Sequence, residues 1–302
     1  AGRFVALADS TMRDLQLSPD GRWAVGADPR PYIADTARSR ADLYRVDTRT
    51  GERTLMVRGQ LVGQYAFGFS PDSRRFLYWQ DGRYPAFDLE AGAARTLPGG
   101  EDGSFTDMEW DYVGPRPAYG IDGFASDGSG VVVRQRYDLV FLPFGRGEPR
   151  NLTNGEGARR EIELRTVRLD PIDPLASRRV RTGREIDLRR PITLSAYGQW
   201  TKKAGFFRLA GGRLSELVYD DARFGFPRRA HAADRLLLTR ETFREFPDLR
   251  VADLDFDGMR RISDANPQQA EYIWGRSLLF DYENADGVRL QGVLMIPDDY
   301  VQ

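Results

Sequence analysis

The acidic residues between Asp253 and Asp264 are spaced like the oxygen ligands of a calcium-binding loop. Asp253, Asp255 and Asp257 alternate along the chain, Gly258 permits a tight turn, and Asp264 stands at the twelfth position. A calcium loop of this type usually ends in a bidentate Glu and lies between two helices. Here two Arg residues enter the loop and the flanks have strand composition. We therefore interpret the segment as the turn of a β-hairpin, and predict no metal site and no cofactor.

A serine hydrolase needs a nucleophilic Ser and a His base, and the sequence offers poor candidates for both. The nucleophile turn has the form G-x-S-x-G. The nearest match is "GRSLL", with Gly275 and Ser277, but Leu279 replaces the second Gly and the segment continues into the strand-like "LLFDY". The single histidine, His231, precedes an apolar run and is expected at the surface. We predict no catalytic residue in this chain, and substrate-binding residues stay unassigned.

The composition excludes several classes of protein and partner. The chain has 302 residues, of which 41% are hydrophobic and 12% aromatic, enough for a sizeable core. Its formal net charge of -1 gives no general attraction to nucleic acid, so no nucleic-acid partner is predicted. No apolar stretch approaches the roughly 18 residues of a membrane span. Cysteine is absent, which excludes disulfides and thiolate-bound metals.

Short apolar runs separated by Gly, Pro and Asp indicate an all-β fold. "FLYW", "VVVRQRY" and "RLLLTR" have strand composition, and no segment has the spacing of an amphipathic helix of twelve or more residues. The phrase "LSPDGRWAVGAD" (17–28) returns as "FSPDSRRFLYWQDG" (69–82) and as "FASDGSGVVVRQ" (124–135). Each copy precedes a hairpin phrase such as "DLYRVDTRTGERTL" (42–55).

This repeat predicts a β-propeller of four-stranded blades. Turn, strand, strand, turn and strand recur with a period of roughly 40–55 residues, which is typical of a blade. We predict about five blades, at 11–58, 64–100, 119–157, 160–219 and 226–264, the fourth stretched by an insertion near "LDPIDPLASRR". Five visible blades fit part of a seven- or eight-bladed ring as well as a smaller one.

The repeats resemble those of TolB-like propellers and of the prolyl oligopeptidase family (serine peptidase family S9). The phrases "TRETFREFPDL", "ISDANPQQ" and "DGVRLQGVLMIPDDY" carry most of the resemblance, and "EWDYVGPRPAYGIDGF" and "RYDLVFLPF" add to it. It covers most of the chain and is to the N-terminal propeller region of large bacterial members.

The resemblance implies that an α/β-hydrolase domain follows the propeller. Residues 1–270 would form the propeller of TolB/PD40-like repeats, and residues 271–302 a hinge strand and the first strand of a truncated hydrolase domain. The apolar run from Val293 to Ile296 agrees, since it has the composition of a strand covered on both faces. The catalytic Ser, Asp and His would lie beyond Gln302, so that this chain alone is inactive.

The implied role is to gate peptide access to that active site, with the hydrolase domain and peptide substrates as partners. Members of the family are often exported, which favours the periplasm over the cytoplasm, although the sequence leaves localisation open. The main alternative is a self-contained TolB-like propeller that acts as a scaffold for proteins or glycans. A calcium-dependent binding module built on Asp253–Asp264 is a third hypothesis.

Overall fold

A computed structural model describes residues 4–34, 39–63, 65–169 and 184–300. In this part of the chain the longest helix, α1 (Glu156–Arg160), has five residues, and the other helical segments are two 3-10 turns at Arg30–Tyr32 and Pro267–Glu271. Five sheets are each built around four antiparallel strands. Such a sheet is the blade of a β-propeller, and the predicted fold class is confirmed.

The first three blades belong to a compact unit formed mainly by residues 1–158. The first contains β1 (Leu15–Leu17), β2 (Trp23–Asp28), β3 (Arg40–Asp47) and β4 (Arg53–Leu61). The second contains β5 (Ala66–Phe69), β6 (Arg75–Tyr78), β7 (Pro85–Asp88) and β8 (Ala93–Thr96). The third contains β9 (Ile121–Ala125), β10 (Gly130–Arg134), β11 (Leu139–Pro143) and β12 (Arg150–Asn151).

The third blade has a fifth strand, β14 (Glu185–Ile186), which follows β13 (Ile162–Thr166) in the chain. β14 pairs in parallel with the edge of β9, where the Phe124 N–H donates to the Arg184 carbonyl at 2.6 Å. Gly123 permits the approach, because a Cβ there would lie 2.6 Å from the same oxygen. Our sequence assignment placed residues 160–219 in the fourth blade. The structure differs at β14 because the edge of β9 offers unpaired main-chain groups.

A second compact unit, formed mainly by residues 213–302, holds two blades and a hairpin. The fourth blade joins β13 to β15 (Ile192–Gly198), β16 (Ala204–Ala210) and β17 (Arg213–Asp220). The fifth contains β18 (Arg223–Arg229), β19 (Leu236–Glu241), β20 (Asp248–Ala252) and β21 (Arg260–Arg261). The hairpin consists of β22 (Gly275–Glu283) and β23 (Arg289–Pro297). The predicted insertion near "LDPIDPLASRR" lies, apart from Leu169, outside the described residues.

The repeated "SPD" phrase forms the turn between the first two strands of a blade. The Ser18 N–H donates to the Trp23 carbonyl, while the Ser18 hydroxyl accepts the Trp23 N–H and donates to Asp20 at 2.7 Å. Ser70 makes the equivalent bonds in the second blade. Both serines are buried. These bonds explain why small hydroxyl and carboxylate residues recur at this point of the repeat.

A buried aspartate at the beginning of the third strand closes three of the five blades. Asp138 and Asp248 accept main-chain N–H groups from the chain that follows the fourth strand, whereas Asp42 accepts the N–H of Gly59 near the end of β4. Asp42 accepts from Gly59 at 2.8 Å, and Asp248 from Ala265 at 2.8 Å. Each carboxylate therefore satisfies main-chain donors that would otherwise lack partners at the end of the blade.

Each unit has its own apolar core between neighbouring sheets. In the first unit the core is centred on Tyr84, whose ring meets Trp79 and Phe105 edge-on with centroids 4.9 and 5.7 Å apart. In the second unit Phe206 stacks on Phe256 with ring centroids 4.3 Å apart. Alternating strand residues such as Val131 and Val133 contribute to these cores, as expected for blades packed face to face, and residues of the connections and turns, such as Tyr84 and Phe256, complete them.

Candidate interaction surface on the C-terminal hairpin

The hairpin formed by β22 and β23 exposes apolar side chains on both faces. Nine cross-strand pairs run from Gly275–Pro297 to Glu283–Arg289. Leu278, Phe280 and Leu294 share one face, whereas Val293 and Met295 lie on the other. Phe280 is 47% exposed, Val293 59% and Met295 68%. A two-stranded hairpin is marginally stable by itself, and contiguous exposed apolar residues usually mark an interaction surface.

The predicted strand from Val293 to Ile296 is present, with a different environment from the one expected. The sequence predicts a strand covered on both faces, but three of these four side chains are exposed. A turn that includes Asp286 and Gly287 leads into this strand, and Gly287 has a φ of 75°, which a glycine adopts without strain. Both faces of the hairpin are therefore available to a further structural element.

Arg244 connects the base of the hairpin to the fifth blade. Its Nε donates to the Gly275 carbonyl at 2.7 Å, and its Nη2 forms an ion pair with Asp298, directly after β23. The Arg244 carbonyl accepts the Gln269 side-chain amide at 2.8 Å. Arg244 lies in "TRETFREFPDL" and Gln269 in "ISDANPQQ". Two of the phrases singled out in the sequence thus meet at the point where the chain leaves the blade.

A cleft of about 550 Å³ lies beside this base. The exposed aromatic residues Phe246, Tyr272 and Trp274 line it. The Trp274 indole N–H donates to the Gln269 carbonyl at 2.9 Å, which fixes the orientation of the ring. Asp264 forms an ion pair with an arginine, as Asp298 does with Arg244. The cleft thus combines three exposed aromatic side chains with charged residues that are paired with one another.

The distal half of the hairpin contacts the loop between β15 and β16. The Arg289 guanidinium lies 3.7 Å from the centroid of the Trp200 ring, and the Gln291 side-chain amide donates to the Trp200 carbonyl at 2.7 Å. Gln291 and Arg289 also donate to Asp281 on the neighbouring strand. The hydrogen bonds from Gln291 and then Arg289 hold the pKa of Asp281 below its ordinary value. The carboxylate therefore stays ionised and holds both side chains in position.

Ser277 and His231, the residues considered for serine-hydrolase chemistry, do not form a catalytic arrangement. Ser277 is in the regular part of β22, opposite Met295, and no strand-to-helix turn surrounds it. His231 is exposed on the loop before β19 and, within the described residues, makes no hydrogen bond to a serine or a carboxylate. The structure does not bring Ser277 and His231 together as a catalytic pair. The prediction that this chain supplies no catalytic residue stays a prediction.

Residues 253–259 form the hairpin turn between β20 and β21, and Asp264 lies after β21. Asp253 accepts the N–H groups of Asp255 and Asp257, both at 2.9 Å, instead of pointing into a common site. Asp255 forms an ion pair with Arg208, and Asp264 with Arg261. In the described part of the chain no three acidic or histidine side chains are grouped as metal ligands. The carboxylates of this segment serve the turn and its ion pairs.

Four of the five tryptophans lie in the blade cores or beside the hairpin, and Trp110 instead packs against Tyr112 with ring centroids 4.8 Å apart. Trp23 and Trp79 are buried in the apolar cores of the first unit. Trp200 and Trp274 instead support the distal half and the base of the hairpin. Trp274 is flanked by the apolar Ile273 and the buried Gly275, and this proximity to "GRSLLFDY" is the signal that could have singled it out.

No helix among the described residues is long and apolar enough to cross a membrane.

Comparison with known proteins gives structural neighbours only. No protein-family model matches the chain. No curated protein sequence matches it either. A crystal structure assigned as a dipeptidyl aminopeptidase IV from Bacteroides ovatus superimposes with a TM-score of 0.59 at 11% identity, over 95% of this chain and 45% of that one.

Two further structures superimpose more loosely. The Pyrococcus horikoshii acylaminoacyl peptidase has a TM-score of 0.37 at 12% identity, over 94% of this chain and 50% of that one. A TolB protein from Agrobacterium tumefaciens has a TM-score of 0.37 at 14% identity, over 95% of this chain and 90% of that one. The similarity to the Bacteroides protein shows a shared fold. This chain spans about half the length of the two peptidase structures.

Proposed function

We propose that this chain is the non-catalytic propeller of an S9-type serine peptidase, and that an α/β-hydrolase domain of the same protein packs on its C-terminal hairpin. The proposal rests on the resemblance of the repeats and the hairpin phrase to that family. The fold shared with the Bacteroides dipeptidyl aminopeptidase IV structure supports it. The domain boundary between residues 270 and 271 is part of the same proposal.

The exposed hairpin is the observation that carries this proposal. Both of its faces present apolar side chains, and in the described residues β22 and β23 pair only with each other. A sheet with apolar residues on both faces is typical of α/β proteins, in which helices cover both sides. Additional strands would also satisfy the unpaired edges of the hairpin. A hydrolase sheet with its covering helices provides both kinds of cover.

The propeller would act by controlling access, because the chemistry would come from the hydrolase domain. There a Ser activated by His would attack the peptide carbonyl, and an oxyanion hole would stabilise the acyl-transfer intermediate. A propeller above such a site admits short or unfolded peptides and excludes folded proteins. The expected substrates are therefore flexible peptides.

Reading the coding sequence beyond Gln302 and labelling its product test the proposal. We expect an in-frame G-x-S-x-G followed by Asp and His. A fluorophosphonate probe should label the longer protein and leave the 302-residue chain unlabelled. The longer protein should cleave a reduced, alkylated substrate protein and spare the same protein in its native form. A coding sequence that ends at Gln302, or one without a probe-reactive serine, would overturn the proposal.

A scaffold that binds other molecules is the alternative, and the aromatic cleft favours it. Phe246, Tyr272 and Trp274 are exposed together, and exposed aromatic residues are enriched where proteins bind partners. If the cleft binds protein or glycan ligands, Tyr272→Ala should weaken capture on peptide and glycan arrays. Tyr112→Ala, an exposed tyrosine on another loop, should leave capture unchanged. Equal capture by both variants would remove this alternative.

A further inference from the structure

A cleft of about 340 Å³ lies where the first blade meets the second, within the first compact unit. It is lined by the end of β4, by the turn between β6 and β7, and by the connection between the second and third blades. Its volume is at the lower end of the range of about 300–1,000 Å³ that is typical of small-molecule sites. A ligand of this cleft would therefore be a small molecule.

Buried side chains fix the walls of the cleft. Gln60 is 3% exposed, and its side-chain amide donates to the Trp79 carbonyl at 2.9 Å, which joins β4 to the second blade. The Tyr65 hydroxyl donates to the Pro115 carbonyl at 2.7 Å. The Trp79 indole N–H donates to the Arg116 carbonyl at 3.1 Å. The cleft is thus formed before any ligand arrives, which lowers the entropy cost of binding.

Arg116 lines the cleft with a guanidinium that is held in place only through its main chain. The side chain is exposed, and its Nη1 donates to the Sδ of Met108 at 3.2 Å. A thioether is a weak acceptor, and within the described residues Arg116 has no carboxylate partner. Its donors are therefore available to an anion in the cleft.

Arg58 is the second arginine with donors available to a ligand. Its side chain is 75% exposed, and Nη1 lies 3.7 Å from the Oδ2 of Asp42. The other oxygen of Asp42 already accepts the Tyr32 hydroxyl at 2.7 Å and the Gly59 N–H at 2.8 Å. An exposed ion pair of this length contributes little to stability. Arg58 can therefore turn to a ligand at small cost to the blade.

Positive charge dominates the lining of the cleft. Its charged side chains are three arginines and one carboxylate: Arg40, Arg58, Arg116 and Asp81. Arg40 donates to the Gly59 carbonyl at 2.9 Å and so helps to hold β4. The planar fork of an arginine matches the two oxygens of a carboxylate, which gives short and strong hydrogen bonds. The cleft therefore has the charge and the donors that an organic anion requires.

We propose that this cleft binds a small organic carboxylate, whose oxygens accept hydrogen bonds from Arg58 and Arg116. The apolar part of the ligand lies against Leu61 and Pro115, which also line the cleft. Asp81 favours a singly charged carboxylate over a phosphate, because its repulsion grows with the charge of the ligand. The site goes beyond the proposed function, since all of its residues belong to the first unit.

Titration calorimetry of the 302-residue chain tests the site with hydrocinnamate, a carboxylate with an apolar tail. The uncharged hydrocinnamamide has the same tail and is the matched control ligand, and inorganic phosphate tests whether any oxyanion suffices. We expect saturable binding of one hydrocinnamate, and binding of the amide and of phosphate that is weaker by about tenfold or more. Higher salt should weaken the binding of hydrocinnamate.

Four substitutions assign the binding to the cleft. Arg58→Gln and Arg116→Gln should each weaken hydrocinnamate binding about tenfold, because each removes a charge-assisted hydrogen bond. Asp81→Asn should strengthen it about threefold, because it removes a like charge. Arg74→Gln is the matched control, since Arg74 is exposed at the opposite end of β6 and does not line the cleft. This variant should bind as the parent does.

Circular dichroism and thermal melting establish that each variant is folded, and Arg116→Gln tests the site independently of the pair between Arg58 and Asp42. Equal affinity for hydrocinnamate, its amide and phosphate would overturn the proposal, as would no binding at all. Equal weakening by Arg74→Gln would reduce the effect to surface charge and would also overturn it. The result does not depend on a downstream serine, so this test and that of the proposed function can fail separately.

Discussion

Phe256 offers a sharp test of how the fifth blade is stabilised, because its burial opposes its backbone conformation. The side chain is 4% exposed and stacks on Phe206, with the two rings inclined by 15°. Its φ is 64°, in the left-handed region that bulky residues rarely adopt. The residue lies in the turn between β20 and β21, where its N–H donates to the Asp253 carbonyl at 3.1 Å. Packing therefore outweighs strain at this position.

The lost packing and the relieved backbone strain together predict that Phe256→Gly is more stable than Phe256→Ala, the reverse of the order in a regular strand. Phe256→Ala should lower the free energy of unfolding by about 3–5 kcal/mol, the usual cost of removing a buried aromatic ring. Phe256→Gly loses the same contacts but also relieves a left-handed strain of about 1–2 kcal/mol. Glycine should therefore be the less damaging substitution by about 1 kcal/mol. In a regular strand glycine is the more damaging of the two, by about 0.5–1 kcal/mol.

Phe206 provides the matched control, since it belongs to the same ring stack and lies within the regular strand β16. Phe206→Gly should be less stable than Phe206→Ala. Urea unfolding followed by hydrogen exchange of β19 and β20 reports the stability of this blade, so that the first unit does not mask the effect. If Phe256→Gly proves less stable than Phe256→Ala, the reasoning about backbone strain is refuted.

Three further changes test the closure of the blades. Tyr84→Phe removes the hydrogen bond to the Gly120 carbonyl, 3.0 Å long, while that carbonyl keeps the Arg134 N–H as a donor, so the loss should cost about 0.5–1.5 kcal/mol. Thermal melting measures it, and an unchanged midpoint would count against the bond. Asp248→Asn should lower stability at neutral pH, where the donors around it and Arg261 hold the pKa of the carboxyl below its usual range. The stabilisation by ionised Asp248 is present above the unfolded pKa of about 3.9 and is lost as the pH falls through the pKa of the folded state. The difference in urea midpoint between the parent and Asp248→Asn should therefore narrow below about pH 4. A difference that is independent of pH would contradict the assignment. Gly123→Ala should break the pairing of β14 with β9, since its Cβ would meet the Arg184 carbonyl. We expect faster hydrogen exchange at residues 184–186 without loss of the other blades. Unchanged exchange at these residues would show that the strand tolerates the side chain.

The parts of this fold that depend on neighbouring residues were accessible from the sequence. The "SPD" turns at Ser18 and Ser70 use bonds within five residues, so their pattern repeats visibly and locates the blades. The pairing of β14 with β9 joins segments about sixty residues apart, and nothing local in "REID" indicates it. The role of Arg244 was hidden for the same reason, since Gly275 and Asp298 are distant in sequence.

The environment of the hairpin shows a second limit of prediction from sequence, which concerns the apolar composition of β23. A strand rich in Val, Leu and Met predicts burial because apolar area is favourably removed from water. The described chain leaves that area on β23 exposed, so the composition indicates an environment that the described blades do not provide. The environments of Trp200 and Trp274 could not be predicted for the same reason, since aromatic residues occur both in blade cores and at interaction surfaces.

Blade closure explains why the repeats fade along the chain although the fold persists. Three of the described blades place Asp before or near the beginning of the third strand, and the carboxylate accepts N–H groups from the end of the fourth strand or from the connection that follows it. In the second blade Tyr84 stands directly before β7, as Asp138 stands before β11, and its hydroxyl donates to a carbonyl of the corresponding connection. A buried polar link is thus present at this point in four of the five described blades, and either a donor or an acceptor supplies it. Because Tyr and Asp can make the same link, a comparison of residue letters does not reveal the correspondence between the second blade and the others.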